Sequence, residues 1–424
     1  MKKALSVIAS AAMVLALTAC GGSGQGKPSA EAPAKTETAA GETSASTTEQ
    51  APEASAGNGV AADALKVGFI FIGDENEGYT AAHYTGAKEM QKELGLTDSQ
   101  IIVKWNTPED ESSYDAAVDL AEQGCQLIIA NSFGHEDYIK QAAGEFPEVE
   151  FCHATGYQAA TSGLNNLHNF FTAIYESRYV SGVVAGMKLN EMLEAGTITE
   201  PKVGYVGAYP YAEVVSGYTS FFLGVRSVCP EAVMDVTYTN SWASFDLEKE
   251  AAESLIAGGC VLISQHADTT GAPTACEAAG IPVVGYNISM IATAPTQALT
   301  SASINWGPYY TYAAQSVIDG TAIVPDWCQG YTDGANRITE LNTANVAAGT
   351  EEKVAEVEAA IKSGSLHVFD TSTWTVDGQK PEDNAKLMET YKQYIYDGYF
   401  HESELASAPA FAILIDGITD KTNQ

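Results

Sequence analysis

From Lys66 onward, short unbroken apolar runs alternate with stretches whose apolar residues recur every three or four positions. The first run, Val67-Gly-Phe-Ile-Phe-Ile72, has the composition of a strand buried on both faces of a parallel sheet. A polar, glycine-containing loop follows over 73–78, and then Tyr79, Ala82, His83, Gly86, Ala87 and Met90 fall at helical spacing. The same reading predicts strands over 101–105, 126–130 and 149–153, with helices over about 112–123 and 137–146 between them. Residues 165–171 read as a polar-aromatic crossing segment. A long Gly- and Ala-rich helix is expected over about 173–193, with Gly182 and Gly186 allowing close helix–sheet approach.

The pattern then restarts. Lys202-Val-Gly-Tyr-Val206 repeats Lys66-Val-Gly-Phe-Ile70 in residue type and spacing. Helices over about 214–226 and 245–257, and strands over 234–239, 261–265 and 283–286, complete a second unit. Strands alternating with helices at this spacing predict an α/β fold with two lobes, each built on a parallel, doubly wound sheet. Residues 298–305 give a strand read as returning to the first lobe, and 308–319 a helix. The first lobe is therefore expected to hold 65–170 plus about 290–320. The second holds 171–289 plus part of the C-terminal region. Within 321–424, only helices over 354–363 and near 383–394 are legible.

The N-terminus carries a different signal. Lys2 and Lys3 precede an apolar core over 4–17, so residues 1–19 read as a secretory signal peptide. Its end, Leu17-Thr-Ala-Cys20-Gly-Gly, resembles a bacterial lipobox, in which the cysteine is lipidated and becomes the first residue after cleavage. The plainer alternative is an ordinary secretory peptide with an incidental cysteine. No other apolar run approaches the ~20 residues that span a bilayer. The expectation is a chain held to the extracytoplasmic face of the cell membrane through Cys20, without spanning it. Residues 20–64 form that cysteine and a tether rich in Ala, Ser, Thr, Glu, Gly and Pro, too poor in large apolar residues to offset the entropy of ordering.

Fifty-four acidic against 21 basic residues give a formal net charge of -33. This argues against nucleic acid or an anionic membrane surface as partner, because both require a concentrated positive face. The six cysteines beyond Cys20 show no CxxC pair, and Cys125, Cys152 and Cys260 border apolar strands like small buried apolar residues. No hydrolase, zinc-protease or phosphate-loop motif is present, so neither catalysis nor a cofactor is expected.

The strand ends concentrate aromatic and polar residues in the loops where an open α/β sheet binds its ligands. The first half supplies Glu77, Tyr79, Asn131, Ser132 and Phe133. The second supplies Tyr209, Tyr211, Asn240, Trp242, His266, Asp268, Tyr286, Asn287, Asn305 and Trp306. Such a lining suits a flat polar heterocycle, because rings stack on its faces and carboxylates and amides read its edge. Structural alternatives stand beside each. Tyr79 in a first helical turn also suits packing, and Asp268 also suits capping a helix that starts near Thr269. His266 and Asp268 at i, i+2 have no third metal ligand nearby, so no metal is expected. The acidic loop Asp74-Glu-Asn76-Glu-Gly78 resembles the start of a calcium loop, but position six is Tyr79 and position twelve Thr85.

Several segments together carry a family resemblance. Gly78-Tyr-Thr-Ala-Ala-His83 with Gly86, Ser132-Phe-Gly134, and Gly217 with Gly224-Val-Arg226 are followed by Thr239-Asn-Ser-Trp242. Gln265-His-Ala-Asp268, Gly285-Tyr-Asn287 and Asn305-Trp-Gly-Pro-Tyr309 complete the set. In order, over about 65–320, this set resembles the basic membrane protein family of ABC-transporter substrate-binding lipoproteins, and within it the purine-binding branch. The resemblance implies two Rossmann-like lobes around a hinged cleft, in the manner of type I periplasmic binding proteins. It implies a purine base or purine nucleoside as ligand, an ABC permease as partner, and a monomeric receptor. Tyr79, Phe133, Trp242, Asp268 and Asn287 stand at the family's ligand positions, with Tyr79 where the branch usually has Trp. Nucleoside-binding relatives usually carry Phe where Gly217 stands, and an acidic residue near Asn287, which leaves base and nucleoside both open. A sugar or signal-molecule receptor of the same architecture is the alternative.

Overall fold

The computed structural model describes residues 59–422. The signal segment, Cys20 and the tether up to residue 58 lie outside the described residues. In the first half, β1 (Val67–Ile70), α1 (Gly78–Glu93), β2 (Ile101–Lys104), α2 (Glu111–Glu122) and β3 (Leu127–Ala130) alternate as the apolar pattern requires. They are followed by α3 (Glu136–Glu145), β4 (Glu150–Ala154), the short α4 (Ala159–Ser162) and β5 (Leu167–Thr172). The second half holds α5 (Ile174–Glu194), β6 (Lys202–Gly207), α6 (Ala212–Val228), β7 (Val233–Tyr238), α7 (Phe245–Ala257), β8 (Leu262–Gln265), α8 (Gly271–Ala279), β9 (Val283–Tyr286) and β10 (Ala298–Ile304). Beyond it lie α9 (Gly307–Asp319), β11 (Asp326–Gln329), β12 (Asn336–Ile338), α10 (Thr350–Lys362), α11 (Ala385–Tyr391), the hairpin β13 (Ile395–Tyr396) and β14 (Tyr399–Phe400), and β15 (Ile418–Asp420).

Two large sheets result. The first has the order β11-β5-β4-β3-β1-β2, with every pair parallel. The second has the order β12-β10-β9-β8-β6-β7-β15, parallel except for the β10–β12 pair. In each sheet the first strand of the unit, β1 or β6, sits beside the point where the order reverses. The loops at the carboxyl ends of β1 and β3, and of β6 and β8, therefore open onto a crevice that suits a ligand.

Four expectations from the sequence are corrected. Residues 165–171 are not a crossing segment: most of them form β5, a fully buried strand in which His168 and Asn169 find polar partners. His168 Nε2 lies 2.7 Å from Glu150 Oε2, and Asn169 Nδ2 donates to Glu136 Oε1 at 3.1 Å. Strand β10 does not return to the first lobe: Ala298–Ala302 run parallel to β9 in the second sheet, and only the following α9 packs on α1 of the first. The close approach built on Gly182 is between helices. A Cβ there would sit 2.1 Å from the Phe221 carbonyl of α6, and one at Gly224 would sit 2.1 Å from the Tyr179 carbonyl of α5. Finally, residues 59–64, assigned by composition to the tether, dock on the first lobe. Val60 N donates to Val317 O at 3.1 Å, and Gln100 Nε2 to Ala62 O at 2.8 Å.

Among the described residues the chain crosses between the sheets three times, over 172–174, 304–307 and 329–336. Glu176, just beyond the first crossing, accepts from Tyr331 N at 2.7 Å and Asn336 Nδ2 at 3.3 Å in the third, tying two crossings together. Among the described residues Cys125, Cys152, Cys229, Cys260 and Cys276 are buried and free, and Cys328 is half-buried and free. No helix among them is long and apolar enough to cross a membrane.

Candidate ligand-binding cleft

The crevice between the sheets is narrow, with about 380 Å³ of unfilled space that is partly open to solvent. From the first lobe, Ile72, Tyr79, Asn131, Ser132, Phe133 and Thr155 line it; from the second, Glu213, Trp242, His266, Asp268 and Tyr286. Most of these residues stand at carboxyl ends of strands; Tyr79 and Glu213 stand in the first turns of α1 and α6.

Tyr79 is set by the start of α1. The Glu77 carboxylate caps the helix, accepting from Tyr79 N at 2.5 Å and Thr80 N at 2.8 Å. The half-buried Tyr79 ring meets His83 and Trp306 edge-on, and its hydroxyl donates to Asn131 O at 2.7 Å. Asn131 is fully buried, with Oδ1 accepting from Ile72 N at 2.9 Å, while its Nδ2 has no partner. Phe133 is 40% exposed at the mouth. Its ring lies 5.8 Å from that of Tyr211 in the opposite lobe, and Tyr211 in turn neighbours Tyr209 and Trp242. Trp242 meets Tyr209 edge-on at 5.0 Å. Aromatic rings thus rim the cleft from both lobes.

The polar wall belongs to the second lobe. Asp268 does not cap a helix: α8 starts with Thr270 at its N-cap and has no side-chain cap. Instead the buried Asp268 carboxylate accepts from Asn287 Nδ2 at 2.7 Å through Oδ1, which leaves Oδ2 for the cavity. Asn287 stands behind Asp268 at φ 64°, a left-handed conformation that Asn tolerates better than most residues, and its Oδ1 has no partner. Burial raises the Asp268 carboxyl well above the usual range, and the charges of Glu77, Glu248 and Glu213 add to the shift. Glu248 accepts from Thr269 N and Ser244 N, holding the loop that carries Asp268, and burial pushes it up to about 7.

Beneath this wall lies a buried cation. The Arg178 guanidinium sits 3.5 Å over the Tyr286 ring and donates from Nη1 to Gln265 O at 2.7 Å, while Nε and Nη2 have no partners. His266 Nε2 lies 3.3 Å from Glu213 Oε1. Burial, with Arg178 adding to it, lowers His266 to about 4, so the ring is neutral at pH 7. Gly217 presses on this layer: a Cβ there would meet His266 Nδ1 at 2.9 Å, so a Phe at this position would require His266 to move.

The structure therefore brings Tyr79, Phe133, Trp242 and Asp268 to one cavity, with Asn287 directly behind. It removes Asn305 and Trp306 from it: Trp306 is buried in the first lobe's core, stacked on His83 at 3.9 Å. Sequence reasoning missed Glu213, Thr155 and Arg178. The signal for Arg178 was available, as a lone arginine in the otherwise Gly-, Ala- and Val-rich helix Ile174–Glu194.

Two α/β lobes joined by three crossings, with a cavity at both switch points, define a periplasmic-binding-protein-like receptor. The chain belongs to the Bmp family of ABC transporter substrate-binding proteins, PnrA-like, which matches residues 64–368. The family is the substrate-binding component of a transporter. A purine-binding protein of Brucella abortus is 35% identical over 335 residues, spanning 77% of this chain and 91% of the relative. A putative ABC transporter glucose-binding protein of Haloferax volcanii is 27% identical, spanning 81% of this chain and 83% of the relative. Among solved structures, a solute-binding protein from Aeropyrum pernix superimposes with TM-score 0.61 at 16% identity, over 72% of this chain and 93% of that one. One from Conexibacter woesei gives 0.58 at 21% identity, over 72% and 98%. The last two establish the fold alone.

Proposed function

We propose that this chain captures a purine base or purine nucleoside outside the cytoplasm and hands it to an ABC permease, anchored meanwhile by a lipid on Cys20. The observation that carries the ligand is the cavity itself. It is rimmed by aromatic rings and walled by the Asp268–Asn287 pair, chemistry that suits a flat ring with polar edges. The likeness to the Brucella purine-binding protein supports it. Tyr79 and Trp242 are assigned the ring faces, Phe133 the mouth, and Asp268 with Asn287 the polar edge. A raised Asp268 carboxyl can donate as well as accept, so an adenine edge, which offers an acceptor beside its amino group, is as well served as a guanine edge.

Glucose is the competing ligand, favoured by the Haloferax relative. Mass spectrometry of small molecules released by denaturing freshly purified protein separates the two. Recovery of a purine in near-stoichiometric amount supports the proposal, and recovery of a hexose with no purine overturns it.

A further inference from the structure

The family match ends at residue 368, and the chain that follows touches both lobes. We propose that residues 402–420 form a strap across the hinge, fixed along the second lobe and clipped to the first by a hydrogen bond from Ser407 to Asp326, and that this clip holds the cleft narrow.

On the second lobe the strap is held along its length. Burial alternates over 411–415: Phe411, Ile413 and Ile415 are buried, and Ala412 and Leu414 are exposed, the period of an extended chain lying on a surface. The three buried side chains join the apolar cluster of Phe221 and Phe222 from α6 and Val236 from β7. The Phe411 ring stacks on Phe369 at 4.4 Å and meets Trp374 edge-on at 5.3 Å. Beyond them Gly417 O accepts from Met234 N at 2.9 Å, and β15 pairs in parallel with β7.

On the first lobe the clip is Ser407 N donating to Asp326 Oδ2 at 2.8 Å. Asp326 opens β11, the edge strand of the first sheet, whose far end leads into the crossing over 329–336. The clip thus lies about 10 Å along the strand from that crossing. A rotation of the lobes about the crossings displaces Asp326 relative to the strap. A slack segment would absorb the displacement, but the chain between the two anchorages is folded tight. Glu402 Oε2 accepts from Ala410 N at 3.0 Å and Phe411 N at 2.9 Å, which closes the loop that carries Ser407. Residues 408–410, which separate Ser407 from the buried Phe411, include Pro409 with its fixed φ. The Tyr175 hydroxyl of α5 donates to Glu402 O at 3.5 Å from the hinge side. A bond made in the narrow form and broken by opening shifts the population toward the narrow form.

The test is small-angle scattering of the ligand-stripped full chain, for wild type, Asp326→Ala, Ser407→Pro and Asp326→Asn. The first two variants remove the acceptor and the donor of the clip, and either decides if the other fails to fold. Asp326→Asn keeps a side-chain oxygen that accepts from Ser407 N. Losing such a hydrogen bond moves an open–closed equilibrium roughly tenfold toward open. The expected result is a larger radius of gyration than wild type in each folded variant that lacks the clip, and the wild-type value in Asp326→Asn. No ligand is added, so the outcome is independent of what the cleft binds. A folded Asp326→Ala or Ser407→Pro protein with the wild-type radius would overturn the proposal, even with a lowered melting temperature, because the contact would then be merely structural. So would an expansion in Asp326→Asn as large as that in Asp326→Ala.

Discussion

Gly78 N donates to Asp268 O at 3.1 Å, a backbone hydrogen bond that crosses the cleft from the first turn of α1 to the loop after β8. It joins the loop that presents Tyr79 to the loop that presents Asp268, so closure and site assembly are one event. Gly78 permits it: a Cβ at this position would stand 2.9 Å from the Asp268 carbonyl. Gly78→Ala should therefore hold the lobes apart. Overpacking of this kind costs about 1–3 kcal/mol, so ligand affinity should fall roughly ten- to a hundredfold. Small-angle scattering checks the cause, since the ligand-saturated variant should remain as expanded as the ligand-free one. Wild-type compaction in the variant would show that the contact does not gate closure.

Asp268 is buried in the closed cleft, and the charge of Glu77 from the other lobe adds to the rise of its carboxyl. The closed carboxyl is raised, so closure shifts Asp268 toward its protonated form relative to a more exposed Asp268. Binding of an uncharged purine at pH 7 should therefore take up a proton, read as a dependence of the calorimetric enthalpy on the buffer's ionisation enthalpy. Asp268→Asn should abolish the uptake. Proton release on binding, or no linkage in wild type, would mean that the carboxylate stays ionised against its ligand.

Glu248 gives a separate pH signature. Its folded value of about 7 exceeds the ordinary carboxyl range, because burial outweighs its hydrogen bonds. Below pH ~4.5 the unfolded side chain is protonated as well, so the group costs nothing; the cost grows as pH rises through ~4.5 to 7 and is full above that. Glu248→Gln removes this titration. The melting temperature of the variant relative to wild type should thus improve between pH 5 and pH 8. Comparing the two proteins cancels the opposite slope of buried histidines such as His135, His153 and His266, which burial lowers to about 4. A difference that stays flat or worsens with pH would place Glu248 in the ordinary range.

At the N-terminus, Cys20→Ser should release the protein from the membrane fraction while leaving ligand affinity unchanged. Membrane retention of the unlipidated variant, followed by fractionation and immunoblotting, would count against the anchor.

The repeating units were legible because buried parallel strands write themselves as short apolar runs, and the repeat of Lys66-Val-Gly at Lys202-Val-Gly marked where the second unit begins. Strand β5 escaped because His168 and Asn169 place polar groups in a fully buried strand, a pattern that partners distant in sequence make tolerable. Membership of β10 in the second sheet could not be read, since strand periodicity does not name the neighbour. The loop residues at strand ends were legible for a reason of topology: ligands meet an open sheet there. Trp306 misled because it also follows a strand, yet the helix after it turns the ring into the core beside His83. Glu213 and Arg178 sit on helices, where a lone charge ordinarily signals a solvated face, and only the packing of α5 on α6 brings them beneath the cleft.

The central claim is that the cleft holds a purine between Tyr79 and Trp242. Calorimetric titration of ligand-stripped protein with adenine, guanine, adenosine, guanosine and glucose tests it most directly, repeated on Trp242→Ala. The account predicts one purine bound per chain, weakened in Trp242→Ala by about 1–3 kcal/mol, the scale of one stacking partner, and no competition from glucose. Saturable binding of glucose, with no purine base or nucleoside binding at millimolar concentration, would contradict it.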